Sequence, residues 1–273
     1  MLKLSIVLLV FAMTVPASAA PMWLERQAVP KAELIEAAFA ARDDASEVVV
    51  DHQAWSDFLN TYVVANDDGV NRVRYAGVSK ADRASLDAYI GRLEAVDTAT
   101  LPALEQLAFW INLYNAATVR LVLDNPDVAS ITEIKKPWGS PVTTVKGRTL
   151  TLGDIEHGIV RAVFREPRAH YALNCASIGC PNLMTHSFRG ETLGADLDAA
   201  ARGYINHPRG VAVDGGRVFL SKIYGWYRED FAPDEAGVLD HIRRYASPDL
   251  TAALKGAKKV ADYRYDWSLN AAP

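Results

Sequence analysis

The chain is short of cysteine and of excess positive charge. Two cysteines in 273 residues are too few to build a disulfide-dense small protein. With 29 Lys+Arg against 33 Asp+Glu the formal charge is −4, so the basic footprint of nucleic-acid or anionic-lipid binding is missing. Also missing are a G-x-G-x-x-G turn, a Walker A loop and a G-x-S-x-G elbow, which removes the usual signals of nucleotide binding and serine hydrolysis. No His or Cys pair has the spacing of a zinc finger or of H-E-x-x-H, and C-x4-C beside a single histidine is not a standard ligand set. No metal and no cofactor is therefore expected. His52, His186, His207 and His241 stand apart in polar settings and read as surface residues. Neither an internal repeat nor a low-complexity linker divides the sequence.

What is present is an ordinary globular composition, 50% hydrophobic and 23% charged, behind a distinctive start. Lys3, the apolar run Leu4 to Val15 and Ala17-Ser18-Ala19 fit the three parts of an export signal. The run is too short to span a bilayer, which takes about 20 residues, and no membrane span is expected after cleavage near Ala19. Cleavage removes one lysine and no acid, leaving a charge of −5. The expected organisation is a signal peptide at 1–19, an N-terminal helix or tether at 20–46 and a single α+β domain at 47–273, periplasmic or secreted. In an oxidising compartment two neighbouring thiols tend to form a disulfide.

Ala32 to Ala41, A-E-L-I-E-A-A-F-A-A, has helical patterning. Trp55, Phe58, Leu59 and Tyr62 repeat at spacings of three and four, an amphipathic helix that Asn66-Asp67-Asp68-Gly69 ends. Ser79 and Asp82 resemble a capping box before a helix running to about Ala95. A third helix, from about Pro102 to Leu123, is apolar nearly all round and so reads as the buried centre of the fold. Glu105, Asn112 and Asn115 share one stripe of it, and buried polar groups there need hydrogen-bond partners, as an internal network or as an active-site wall. After Pro126 the pattern turns to strands. Val142 to Val145 and Arg148 to Leu152 flank Lys146-Gly147, Val211 to Val213 and Val218 to Leu220 flank Asp214-Gly215-Gly216, and His170 to Asn174 alternates like a strand. A short helix over 154–164 stops at Arg165-Glu166-Pro167, and helices are expected at about 193–206 and 235–246. The expected fold class is α+β: a helical N-terminal half whose buried central helix packs on a mostly antiparallel sheet.

Chemistry-bearing residues concentrate in R-A-H-Y-A-L-N-C-A-S-I-G-C-P-N-L, Arg168 to Leu183. Cys175 in a tight turn is a candidate nucleophile, with His170 and His157 as candidate bases and turn amides near Ser177 as oxyanion donors. A regular strand would place His170 and Cys175 on opposite faces. The competing reading is a local Cys175–Cys180 disulfide that staples the turn. Leu220 to Phe231, L-S-K-I-Y-G-W-Y-R-E-D-F, combines Lys222, Trp226, Tyr227 and Asp230 and reads as a groove wall or as core.

Four ordered motifs, Glu105–Ala116 (E-Q-L-A-F-W-I-N-L-Y-N-A), Leu152–Arg161 (L-G-D-I-E-H-G-I-V-R), Arg168–Pro181 and Leu220–Phe231, together with Val50–Trp55, resemble the domain-of-unknown-function family 547 (DUF547) over about residues 47–246. The resemblance implies a fold similar to the papain and transglutaminase-like thiol enzymes. Those enzymes carry the nucleophilic cysteine at the start of the central helix, where this chain has Glu105, Asn112 and Asn115 instead. The leading expectation is an exported thiol-dependent acyl-transfer enzyme acting on amide or peptide-like substrates. Cys175 would attack, His170 or His157 would serve as base, and Asn115 or Glu105 would orient that histidine. The alternative is a non-catalytic protein that binds a peptide-like or glycan ligand, with the two cysteines bridged. Thiol–disulfide redox work comes last, because the spacing differs from C-x-x-C.

Overall fold

The computed structural model describes residues 21–273; the export-signal expectation for 1–19 lies outside the described residues. The chain opens with a seven-residue helix, α1 (Met22–Ala28), and then runs extended apart from one 3-10 turn at Ala37–Phe39. The helical pattern of 32–41 is thus realised as a single turn, and of that run Phe39 alone is fully buried. Helix α2 (Gln53–Tyr62) buries Trp55, Phe58, Leu59 and Tyr62, as their spacing requires. Strands β1 (Val63–Val64) and β2 (Arg72–Val73) pair antiparallel around the Asn66–Gly69 turn, where Gly69 takes φ +76°. In α3 (Lys80–Glu94) the Ser79 hydroxyl accepts from the Asp82 amide and donates to its carboxylate, so the cap forms where the sequence placed it.

Helix α4 (Ala103–Leu123) is the buried axis of the larger hydrophobic cluster. It packs on α3, on the hairpin β3 (Pro141–Val145) and β4 (Arg148–Thr151), and on a π-helix over Asp154–Phe164. The β3–β4 turn places Lys146 and Gly147 both at positive φ, 52° and 75°, as a two-residue hairpin loop requires. A 3-10 helix (Pro167–Tyr171) then leads into the cysteine turn. Next come α5 (Leu193–Ile205), hairpin β5 (Val211–Asp214) and β6 (Arg217–Ser221), α6 (Lys222–Trp226), α7 (Arg228–Phe231), α8 (Glu235–Arg243), α9 (Pro248–Ala253) and β7 (Asp262–Arg264). Among the described residues no helix is long and apolar enough to cross a membrane.

The fold is α+β, but three expectations change. The central helix does not lie on one sheet: the strands form separate two-, two- and three-stranded sheets. The three-stranded sheet β5–β6–β7, with β6 and β7 parallel, belongs to a second hydrophobic cluster shared with α5 and α8. His170–Asn174 is not a strand. Arg165-Glu166-Pro167, read as a stop, also starts the next turn, because the Glu166 carboxylate caps the Arg168 amide and Pro167 fits the first helical position. His52 and His241 are not surface residues. Each is about 3% exposed, bonded to a buried phenol, Tyr89 and Tyr171 respectively.

Candidate functional site

The polar stripe of α4 is met by backbone. The Glu105 carboxylate accepts from the amides of Val50 and Gly190, both at 2.8 Å. Asn112 exchanges two hydrogen bonds with Phe188, and Asn115 accepts from the Asn174 amide at 2.8 Å while donating to the Ala172 carbonyl at 2.9 Å. The three side chains therefore clamp three loops onto one helix face. Asn115 holds the segment carrying His170 and Cys175, but neither it nor Glu105 bonds a histidine.

Downstream of that clamp the turn closes on itself. The Asn174 carboxamide donates to the Pro181 carbonyl and accepts from the Ala176 amide, and Ala176 sits at φ +60°. Cys175 and Cys180 form a disulfide, with Cα atoms 6.2 Å apart. The amides of Ala176, Ile178, Gly179 and Cys180 all donate to acceptors inside the protein, which leaves none of these four to an oxyanion. The hydroxyl of Tyr265 lies 3.1 Å from the Cys175 sulfur, 3.2 Å from that of Cys180 and 3.0 Å from Ser177 Oγ.

The π-helix brings the next groups together. Its i→i+5 bonding widens each turn, and such turns concentrate at functional sites. Glu156, His157 and Arg161 are all buried along it. Arg161 donates to both carboxylate oxygens of Asp230 on α7, at 2.5 and 3.1 Å. Its remaining terminal nitrogen reaches the Pro30 carbonyl at 2.8 Å and His157 Nδ1 at 3.1 Å. Because the guanidinium can only donate, His157 Nδ1 accepts, and the neutral ring carries its proton on Nε2. The same Asp230 carboxylate takes His170 Nε2 at 2.7 Å, and Tyr227 stacks on the His170 ring with centroids 4.3 Å apart. The histidine pair thus splits: Asp230 orients His170, and Arg161 orients His157.

Burial alone would push the Asp230 carboxyl up, but hydrogen bonds from His170 and Arg161 bring it down to about 2. Glu156 is also buried, and His157 and His170 beside it, with hydrogen bonds from Tyr227 and Tyr114, hold it below its ordinary value. Burial lowers His157, reinforced by Arg161 against the opposing pull of Glu156. Burial pushes the Tyr265 phenol far up, so it stays a neutral donor.

Two cavities meet at His170 and Leu173. One of about 60 Å³ is lined by Glu156, both cysteines and the aromatic wall of Trp138, Trp226, Tyr265 and Trp267. The other, about 390 Å³, is lined by Lys31, Arg161, Arg165, Glu166, Glu229 and Asp230 among others. Residues 98–205 match the family described as Protein of unknown function, DUF547. The DUF547 match takes in α4, the first hairpin, the π-helix, the cysteine turn and α5, and it supports the family resemblance over that span. No curated protein and no solved structure matches the chain. The Leu220–Phe231 motif lies beyond the DUF547 match, yet it supplies Tyr227 and Asp230 to His170.

Of the residues singled out from sequence, the small cavity brings His170 and Cys175 together; His157 lies outside that wall, linked to His170 through Arg161 and Asp230, and Glu105 and Asn115 act on loops. Asp230 was legible only as part of a groove-wall motif. Glu156 stood unmarked in the Leu152–Arg161 motif and Tyr265 carried no signal, since nothing local marks a carboxylate or phenol that long-range packing will bury. Among the described residues, no three His, Cys, Asp or Glu side chains form a group able to hold a metal ion.

Proposed function

We propose that the chain is an exported, thiol-dependent acyl-transfer enzyme acting on peptide-like amides, a rearranged relative of the papain and transglutaminase-like enzymes, with its nucleophile stored as a disulfide. The observation that carries this reading is that His170, oriented by Asp230, shares a cavity wall with Cys175. A carboxylate that fixes one imidazole nitrogen leaves the other to serve as base, the arrangement that activates a neighbouring thiol. Reduction by an external dithiol opens Cys175–Cys180: the dithiol is oxidised to its own disulfide as both cysteines return to thiols. His170 then takes the Cys175 proton, the thiolate attacks the carbonyl, and the protonated imidazole returns the proton to the leaving amine. With four turn amides committed internally, the Tyr265 hydroxyl beside Cys175 takes the place of the expected backbone donors.

The test is intact-mass analysis of the reduced protein incubated with an activated peptide ester. Acyl mass added at Cys175, lost in Cys175→Ser and in Asp230→Asn but kept in Cys180→Ser, is the expected result. No adduct on a protein shown to carry two free thiols overturns it.

A second reading has its own support. The closed disulfide and the committed turn amides suit a non-catalytic protein that binds a peptide-like or glycan ligand in the larger cavity. Ligand binding indifferent to reductant and to Cys175→Ser would favour it.

A further inference from the structure

Helix α1 is pinned by very little. It has no buried residue, Trp23 and Leu24 are 61% and 45% exposed, and an isolated helix of this length does not hold itself together. Its polar anchor is one side chain. Glu25 accepts from Lys222 Nζ at 2.6 Å and from the indole nitrogen of Trp226 at 2.9 Å. Lys222 and Trp226 stand four apart on α6, so both donors converge on one point. Lys222 and Glu25 are 16% and 18% exposed, which makes this a largely desolvated pair rather than a surface contact. Next to it, Gly225 has no side chain where Met22 lies; a Cβ there would stand 2.3 Å from the Met22 sulfur.

The clamp is continuous with the site. Trp226 lines the small cavity beside His170 and the cysteines. Five residues beyond Glu25, the Pro30 carbonyl is taken by Arg161, and Lys31 and Ala32 wall the larger cavity. This N-terminal arm, residues 21–36, therefore lies against the groove as a peptide would, offering a side-chain carboxylate to one set of donors and a backbone carbonyl to another. Among the described residues, Glu25 is the only hydrogen-bond acceptor for the Lys222 ammonium and the Trp226 indole. If the arm leaves, both donors are stranded until another carboxylate arrives.

We propose that Lys222 and Trp226 form a carboxylate-recognition subsite, that Glu25 occupies it as a tethered pseudo-ligand, and that the ligand of the groove is a peptide segment presenting a carboxylate side chain. This rests on reading the cavities around His170 as the ligand site, and it adds the ligand's polymer type and the one carboxylate it must present. A tethered occupant competes at an effective concentration in the millimolar range, so the resting chain binds weakly until Glu25 is displaced.

The experiment uses the full chain and a labelled synthetic peptide of its own residues 21–32, with Glu at position 25 or with Gln in its place. Glu25→Ala, and Met22→Ala with Glu25→Ala should the first leave the arm docked, are expected to bind the Glu peptide at least about tenfold tighter than the unaltered chain. They should also bind it about tenfold tighter than the Gln peptide. Adding Lys222→Met to Glu25→Ala should abolish that selectivity. Equal binding of the two peptides, or of neither, by an arm-released variant overturns the proposal. Acetate displacing the peptide from Glu25→Ala at concentrations no higher than a Glu peptide needs would also overturn it, by showing a bare carboxylate site with no peptide recognition. Because none of these readouts needs a free thiol, selective binding without acyl transfer would sink the enzymatic reading alone.

Discussion

Asp230 accepts from His170 Nε2 and from two nitrogens of Arg161 with only 18% of its side chain exposed, so its charge is held by partners rather than by water. Its pKa, brought from 3.8 down to about 2, lies below its value in an unfolded chain. The unfolded state binds the proton first, and so the carboxylate's contribution is complete above about pH 4 and disappears as pH falls through about 2. Asp230→Asn should cost on the order of 2 kcal/mol or more at pH 7, and the gap from the unaltered protein should close near pH 2. Urea unfolding at both pH values measures it; a gap that persists at pH 2 would show that shape, not charge, is what Asp230 contributes. The buried histidines act in a higher window. Burial lowers His52 and His241 to about 4, so both are neutral in the fold while the unfolded chain takes up their protons near 6.5. Stability is therefore full above pH 6.5 and declines toward pH 4, by a few kcal/mol for the two together. His241→Gln, which can keep a bond to Tyr171, should flatten that slope in denaturant midpoints taken across pH 4–7.

Elements closed by neighbouring residues were legible in sequence, and elements closed by distant packing were not. The Ser79–Asp82 cap, the Lys146-Gly147 and Gly215-Gly216 turns and the four buried residues of α2 follow from local sterics and periodicity, and all stand as read. The polar stripe of α4 announced that it needed partners, but nothing local could say that they would be loop amides at Val50, Phe188 and Asn174. The 154–164 run was legible as a helix but not as a π-helix, because its extra residue per turn is stabilised by what it faces, Asp230 and the arm. The alternation that suggested a strand at His170 was overruled by Glu166 and Pro167, which start a 3-10 turn three residues before it. Gly158 shows the same contest. Ala there should favour the helix by about 1 kcal/mol on propensity, yet its Cβ would lie 2.3 Å from Ile35 Cγ2 on the arm. Gly158→Ala is expected to leave the melting temperature nearly unchanged while loosening the arm. Hydrogen exchange at the Ile35 amide, which bonds the Gly158 carbonyl, should speed up at least several-fold. Unchanged exchange would mean that the arm shifts without detaching.

At the scale of the molecule, the C-terminal segment decides how much the disulfide is needed. Strand β7 extends the sheet beside β6, Asp266 and Ser268 receive amides from the cysteine turn, and Asn270 and Ala272 pair with Val73 of β2. One segment thus ties the second hydrophobic cluster, the turn and the first strands together, and Asn270 adds a side-chain bond to Asn174 within the turn and accepts from Tyr75 at 2.8 Å. The Cys175–Cys180 bridge closes a loop of only six residues inside this frame, and so short a loop recovers about 2 kcal/mol of unfolded-state entropy. Cys175→Ser with Cys180→Ser should therefore unfold in one cooperative urea transition about 2 kcal/mol less stable than the oxidised protein, with the slope unchanged. That outcome is what a bridge that opens and closes in service requires, since the turn must keep its shape in both states. A loss well above 4 kcal/mol, or a second transition, would instead make the disulfide a structural member, and would move the weight of the functional reading from acyl transfer to ligand binding.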